Sequence, residues 1–444
     1  MAATLVPDLE EYRRDARELL GRPGPEADER HAHLFSAEAV AGLRAAAEAS
    51  RGAPGARALA RFAAEGLLRR AAAAETGEIA RRLGEPVVEG PWGAIAPAEV
   101  DAALAAEPDR GRRAELQSAR LRAIEGRLGG LLADARARRE EAARAAGAAS
   151  PEALLAGSAG IDLTALAGTG AALLDATDDV AMRSVDRAAR DALGAGLSGL
   201  DAADLPRLVR APQLEAELPA EGARPAALGT VELLGADPRA IPGPPASGLA
   251  GLALYAESLR AAGAAMAAGG ASPRLAVEAG PLADPAGRLA AGLLLEGLLL
   301  EPTWLARVPG VRDTGAAAHA AVAVRLLGAR VAAARAVGLA EGPSTGLVSR
   351  AVGLPWPAPL GLAEGLAGLG PADELRARAL AAALRTHLRE GFGERWFADA
   401  RAGVVLREIW LEGGTLDPAA LARELGAPGL DAGLVVAEAA ERGG

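Results

Sequence analysis

The chain has 444 residues and a net charge of −10, from 48 basic and 58 acidic side chains. Half of it is apolar, only 2% is aromatic, and cysteine is absent, which excludes disulfides, thiolate metal sites, iron–sulfur ligation and cysteine nucleophiles. Lysine and asparagine are also missing, so arginine supplies every permanent cation, and the acidic balance argues against a nucleic-acid partner, whose phosphates need a basic face.

In chain order, the first residues run into Asp8, Glu10 and Glu11 with no basic region ahead of an apolar stretch; this predicts no targeting leader and a cytoplasmic protein. Leu121, Ile124, Leu128 and Leu131 step by threes and fours, which puts them on one helical face. Ser150-Pro151-Glu152 reads as an N-cap, a proline in the first turn and an early acid, and so starts a helix. From 204 to 251 prolines and glycines accumulate, and the short apolar run Thr230 to Leu234 reads as a candidate strand. This divides the chain into an N-terminal helical lobe over 1–203, a connecting segment over 204–251 and a C-terminal helical lobe over 252–444. The Leu-rich stretch 289–300 contains Glu296 and is too short to span a bilayer, so it reads as a buried core helix and no membrane partner is expected. An Ala-rich helix is expected over 316–340, then a looser segment over 342–370. Asp417-Pro418 opens a last clear helix through Leu421 and Leu425 that stops at Gly426 and Pro428. The fold class is therefore mainly all-α.

Motifs for chemistry are sparse. A helical zinc protease site needs imidazoles at i and i+4 beside a glutamate, and the four histidines, His31, His33, His319 and His387, contain no such pair. Remote acids could in principle join His319 and His387, but the ordinary reading is four helical histidines on or near the surface. Gly342-Pro343-Ser344-Thr345-Gly346 fits G-x-S-x-G by letter, yet a nucleophile elbow requires a strand before it, whereas an Ala-rich helix precedes this one. Gly168-Thr169-Gly170 lacks the third glycine and the strand of a dinucleotide loop. With 58 acids, individual acid pairs carry no signal.

Several stretches, in order, resemble bacterial zinc oligopeptidases of the oligoendopeptidase F/thimet oligopeptidase family. Residues 388–433, with Gly393-Glu394-Arg395-Trp396-Phe397 and Trp410, are similar to that family's closing helices. Residues 293–305, ending in Glu301-Pro302-Thr303-Trp304-Leu305, are similar to the helix after its third zinc ligand, and 105–120 and 205–220 have its character. The resemblance implies a two-lobed helical clamshell of the neurolysin/thimet oligopeptidase type around a long groove. It also implies a lost metal site. With Tyr255 on the aromatic that precedes the family's His-Glu-x-Gly-His, and 277–284 on the intervening segment, no gap is needed and Gly263 falls on the motif glycine. The first ligand position is then Arg260, the general-base position Ala261, the second ligand position Ala264, and the third ligand position Leu289. The family's transition-state tyrosines would fall near Gly370 and Glu374, and no tyrosine follows Tyr255.

Without imidazoles there is no zinc-bound water of lowered pKa, and without the glutamate no base for its proton. The resemblance thus implies no catalytic residues, no zinc and no other cofactor, and a groove contacted by Arg260, Tyr255 and Glu374, with the Arg260 guanidinium either solvated or paired to an acid, or recognising a carboxylate. The reading that follows is a catalytically inactive oligopeptidase-like protein that keeps the fold to bind a peptide or protein. Two alternatives stay open: a structural or regulatory subunit partnering an active paralogue, and a hydrolase that acts without the family zinc site, through Ser344 or an acid pair.

Overall fold

Alanine, leucine, arginine and glutamate all favour helix, and helices make up almost all the regular structure. The computed structural model describes residues 9–21, 25–91, 93–241, 248–342 and 344–443. The opening octapeptide, Pro343 of the G-x-S-x-G match and residues 242–247 of the Pro/Gly-rich segment lie outside them. Among the described residues one antiparallel hairpin, Val88–Gly90 with Gly93–Ile95, is the only sheet, paired Val88 with Ile95 and Gly90 with Gly93. The fold is all-α, and no helix among the described residues is long and apolar enough to cross a membrane.

Local signals place helix ends well. The Ser150 hydroxyl accepts from the Ala153 amide at 3.1 Å and starts helix Pro151–Ala159, and Asp417 accepts from Ala420 at 2.7 Å and starts helix Pro418–Glu424. Gly426 follows with φ +88°. Helix Pro285–Glu296 and the 3₁₀ turn Gly297–Leu300 are buried at every position from Ala290 onward, Glu296 included.

Two expectations change. The run 230–234 is helical, within and just past helix Ala220–Leu233. Thr230, Val231 and Leu234 are buried with Ala223 and Ala227 at spacings of three and four, and the Trp304 indole donates to the Thr230 hydroxyl at 3.0 Å. A tertiary hydrogen bond and a helical apolar face together override the β-branched pair. Leu131 is only half-buried, because the π turn Ile124–Leu128 adds a residue to the spiral and brings Leu132 and Ala135 inward with Ile124 and Leu128. Gly170 sits inside helix Leu163–Leu193, where a Cβ would lie 2.9 Å from the Ala333 carbonyl oxygen of helix Thr314–Glu341. It is a contact glycine between the two longest helices.

Two large apolar clusters fill the interior. Helices 163–193 and 314–341 contribute to both: Ala181, Val322 and Leu326 to one, Leu173, Val185, Leu327 and Ala333 to the other. Their pairing is the axis on which the remaining helices pack. Gly170→Leu should force these helices apart and lower the unfolding free energy by about 1–3 kcal/mol, whereas Gly168→Ala, where a Cβ meets nothing within 4 Å, should be neutral or slightly stabilising; urea titration followed by circular dichroism measures both.

Candidate functional site

Helix Gly251–Gly270 packs antiparallel on helix 285–296 at a distance that only glycine allows. A Cβ on Gly263 would lie 2.2 Å from the Ala291 carbonyl oxygen, and one on Gly292 would lie 2.7 Å from the Arg260 carbonyl oxygen. This contact fixes the register. Arg260 then faces Glu296, whose Oε2 accepts from Nε at 3.0 Å and from Nη2 at 2.7 Å. Leu289, three residues before Gly292, shares its face of the helix; it is half-buried and packs on the core. Ala261 and Ala264 are half-buried. Zinc takes nitrogen, sulfur or carboxylate oxygen donors. Ala261, Ala264 and Leu289 offer none, and Arg260 is an ion-pair partner of Glu296, so these residues do not fit a zinc ion.

Arg260 opens on a cleft of about 1170 Å³. Its walls come from helices Gly129–Ala145, 251–270, 314–341, Ala358–Glu364 and Gly370–Phe392. Four arginines and four glutamates line it: Arg136, Arg260, Arg335 and Arg378 with Glu152, Glu341, Glu364 and Glu374. Arg335 donates to Glu364, and Arg378 donates to Glu374 at 2.7 Å. The lining holds no histidine and no tyrosine among the described residues. Ser344 lines the cleft, at the start of helix Thr345–Val352 and after a helix rather than a strand, with no imidazole there to activate it.

Of the three residues expected in the groove, Arg260 and Glu374 reach the cleft together and Tyr255 does not. Tyr255 is fully buried, donates to the Pro219 carbonyl at 3.2 Å, and is pushed up to about 12 by burial and by Glu221. Its early place in helix 251–270 turns the ring towards Gly222, which has no side chain to block it. Arg378, which sequence reasoning missed, is the deeper cation; among 48 basic residues nothing marked it.

The electrostatics of the floor follow from burial. Burial works against the charge on Arg260, but the Coulombic pull of Glu296, Glu374 and Glu257 and the Glu296 hydrogen bonds outweigh it, and the pKa lies above its ordinary value. For Arg378 burial wins: its pKa is held below the ordinary value despite Glu374 and Glu296, with Arg325 and Arg260 adding repulsion. Its Nε is buried with no hydrogen-bond partner. The guanidinium stays protonated, and so carries an unanswered donor beneath the cleft.

Behind the floor lies a buried ionic layer. Arg325 donates to Glu438 from Nε at 2.9 Å and Nη2 at 3.1 Å, and to the Leu293 carbonyl at 3.0 Å. Arg385 donates to Glu301 at 2.5 Å and stands 3.6 Å from Glu438. Burial pushes the Glu438 carboxyl up, but Arg325, Arg385 and Arg378 hold it below its ordinary value overall. A carboxylate lowered in the folded state adds stability that is present above its unfolded pKa and lost as pH falls through the folded one. Glu438→Gln should therefore cost about 3–5 kcal/mol at pH 7, because Arg325 is left buried without its counter-charge. The gap to the parent chain should shrink steadily in urea titrations below about pH 4.

No protein-family model matches the chain and no curated protein matches it, so the functional reading rests on the cleft's own residues.

Proposed function

We propose that the chain is a catalytically inactive relative of the oligoendopeptidase F/thimet oligopeptidase group, and that it uses its cleft to bind a short peptide or an extended protein segment. The observation that carries this reading is the pairing of a roomy cleft with a charge-balanced lining that has neither a metal donor set nor an imidazole. Four cations and four anions suit a zwitterionic ligand better than a polyanion. A peptide's carboxylates can take guanidinium hydrogen bonds from Arg260, whose side chain keeps 35% of its surface exposed. Its amines can meet Glu374 and Glu364. The family resemblance supports the same reading, since of the positions it marks as changed, Arg260, Ala261, Ala264 and Leu289, Arg260 lines the cleft and none supplies a metal donor.

The test is binding without turnover. Unlabelled peptides of five to ten residues, titrated into the full chain and followed by calorimetry, should bind with micromolar affinity. Arg260→Ala should weaken the best of them about tenfold, the cost of one charge-assisted hydrogen bond, without lowering the melting temperature by more than a few degrees. Quenched fluorogenic peptides should stay uncut with and without added zinc. Zinc-dependent cleavage would overturn the inactive reading, and a library with no binder, or a best binder indifferent to Arg260→Ala, would overturn the peptide site.

A further inference from the structure

Two histidines and a carboxylate converge near the N-terminal end of the described chain, outside the residues that line the cleft. Helix Leu9–Gly21 lies against the 3₁₀ turn Ala32–Phe35, and the Tyr12 hydroxyl holds the two together by donating to the Leu34 carbonyl at 3.0 Å. Tyr12, Leu34 and Phe35 are buried, so the juxtaposition is built on core packing. Upon it sit Asp15 from the helix and His31 and His33 from the turn. One ligand atom from each lies within 4.8 Å of the others.

The polar bookkeeping there is incomplete. The His33 Nε2 meets Asp15 Oδ2 at 3.1 Å. The His31 side chain is only 7% exposed, and its Nε2 has no hydrogen-bond partner; the Glu18 carboxylate is 3.7 Å away. A buried imidazole nitrogen without a partner costs free energy. The Glu18 carboxylate that faces it shares a helix face with Asp15, three residues before.

We infer that Asp15, His31 and His33 bind a divalent transition ion of the zinc type, with Glu18 within reach as fourth ligand. Neutral imidazoles with carboxylate oxygens are a zinc donor set, and bonds of about 2.0–2.2 Å place tetrahedral ligands about 3.3–3.6 Å apart. Side-chain rotations of about 1 Å close the cluster to that spacing. Two carboxylates cancel the charge of the ion. The outer oxygen of Asp15 is held as in a ligating carboxylate, since Arg14 donates to Oδ1 at 3.2 Å; Arg30 donates at 3.2 Å to Glu18 Oε1, the oxygen that faces His31, so Glu18 ligates through its other oxygen or after Arg30 swings aside. The ion gives His31 Nε2 the partner it lacks and clips helix 9–21 to the turn. That helix also reaches the far half of the sequence, where Arg13 donates to the buried Glu278 at 2.7 Å, in the connection between helices 251–270 and 285–296. The site is therefore structural in kind: its ion ties down an element that is otherwise held by Tyr12, Arg13, the Arg30–Glu18 pair and apolar contacts of Ala16 and Leu19.

The experiment is a zinc titration of the full chain, prepared without a histidine tag and freed of metal by chelation. Calorimetry and native mass spectrometry should show one Zn²⁺ per chain at micromolar affinity or tighter, with a higher melting temperature in the loaded form and no comparable effect of Mg²⁺, which prefers an all-oxygen shell. His33→Ala, at a side chain 59% exposed and so harmless to packing, should weaken zinc at least about tenfold, and Asp15→Asn should do the same. The double variant His319→Ala/His387→Ala should bind as the parent does. No saturable binding below about 100 μM, binding indifferent to His33→Ala, or binding abolished by removal of His319 and His387 would each overturn the site.

Discussion

A guanidinium taken out of water needs acceptors for its donors, and this chain has only arginine for permanent positive charge. That constraint organises the interior. Arg330 is fully buried and every one of its nitrogens is answered: Nε by the Ala351 carbonyl, Nη1 by the Leu174 carbonyl and the Thr177 hydroxyl, Nη2 by Asp178 and the Arg350 carbonyl. It thereby fixes helix 345–352 against the two longest helices. Arg61 does the same across the chain by a two-pronged contact with Asp373 at 2.9 and 2.6 Å, and Arg113 with Asp204 and the carbonyls of Glu107 and Pro108. The small alanine side chains around them let helices approach closely, and the long arginines reach through that thin packing to acids on the next element. Breaking such a pair leaves a lone buried charge, so each pair also excludes alternative packings.

The cleft is where this satisfaction runs out. Behind the floor Arg325 is answered by Glu438 and Arg385 by Glu301, while Arg378, one layer nearer the opening, has a carboxylate on one side and an unanswered Nε on the other. Arg260, at the surface of the same layer, is paired yet partly open. Compensation thus fails at one point, the Arg378 Nε, while Arg260 and Arg335 around it are answered by Glu296 and Glu364. A ligand carboxylate entering there would meet donors already desolvated and held in place, which is the condition for recognition by arginine.

What could be read in the sequence was local. Ser150 and Asp417 announced their helices because an N-cap is an interaction between residues three apart. Glu296 inside a leucine run correctly marked a buried helix, because length and hydropathy settle that question. The hairpin at 88–95 was missed although Val88 and Ile95 flank Gly90, Pro91 and Gly93, a turn signal swamped by glycines and prolines elsewhere. Thr230 to Leu234 was misread because the deciding partner, Trp304, is 74 residues away. Arg378 and Arg330 carried no mark among so many arginines. The histidine cluster escaped for a different reason: a search for imidazoles at i and i+4 presumes that one helix presents both ligands, whereas here a turn presents two and a separate helix the carboxylate.

That last point changes what zinc can say about the chain. If the changed positions on helices 251–270 and 285–296 were the sole place for an ion, metal content alone would speak to peptidase ancestry and activity. Asp15, His31 and His33 are absent from the cleft lining, and their donors are imidazole and carboxylate, while the positions on helices 251–270 and 285–296 offer alanine, leucine and a paired arginine. A bound ion at the N-terminal cluster cannot polarise a carbonyl or activate water for a ligand in the cleft, since Lewis-acid catalysis acts only on atoms within the coordination sphere. The location of the ion, through the histidine it depends on, is thus the discriminating quantity, and stoichiometry is not. On the proposed reading, a chain that binds zinc and leaves peptides uncut is what two separate sites require: a charge-paired cleft that would hold a ligand, and a small metal clip that would tether the N-terminal helix.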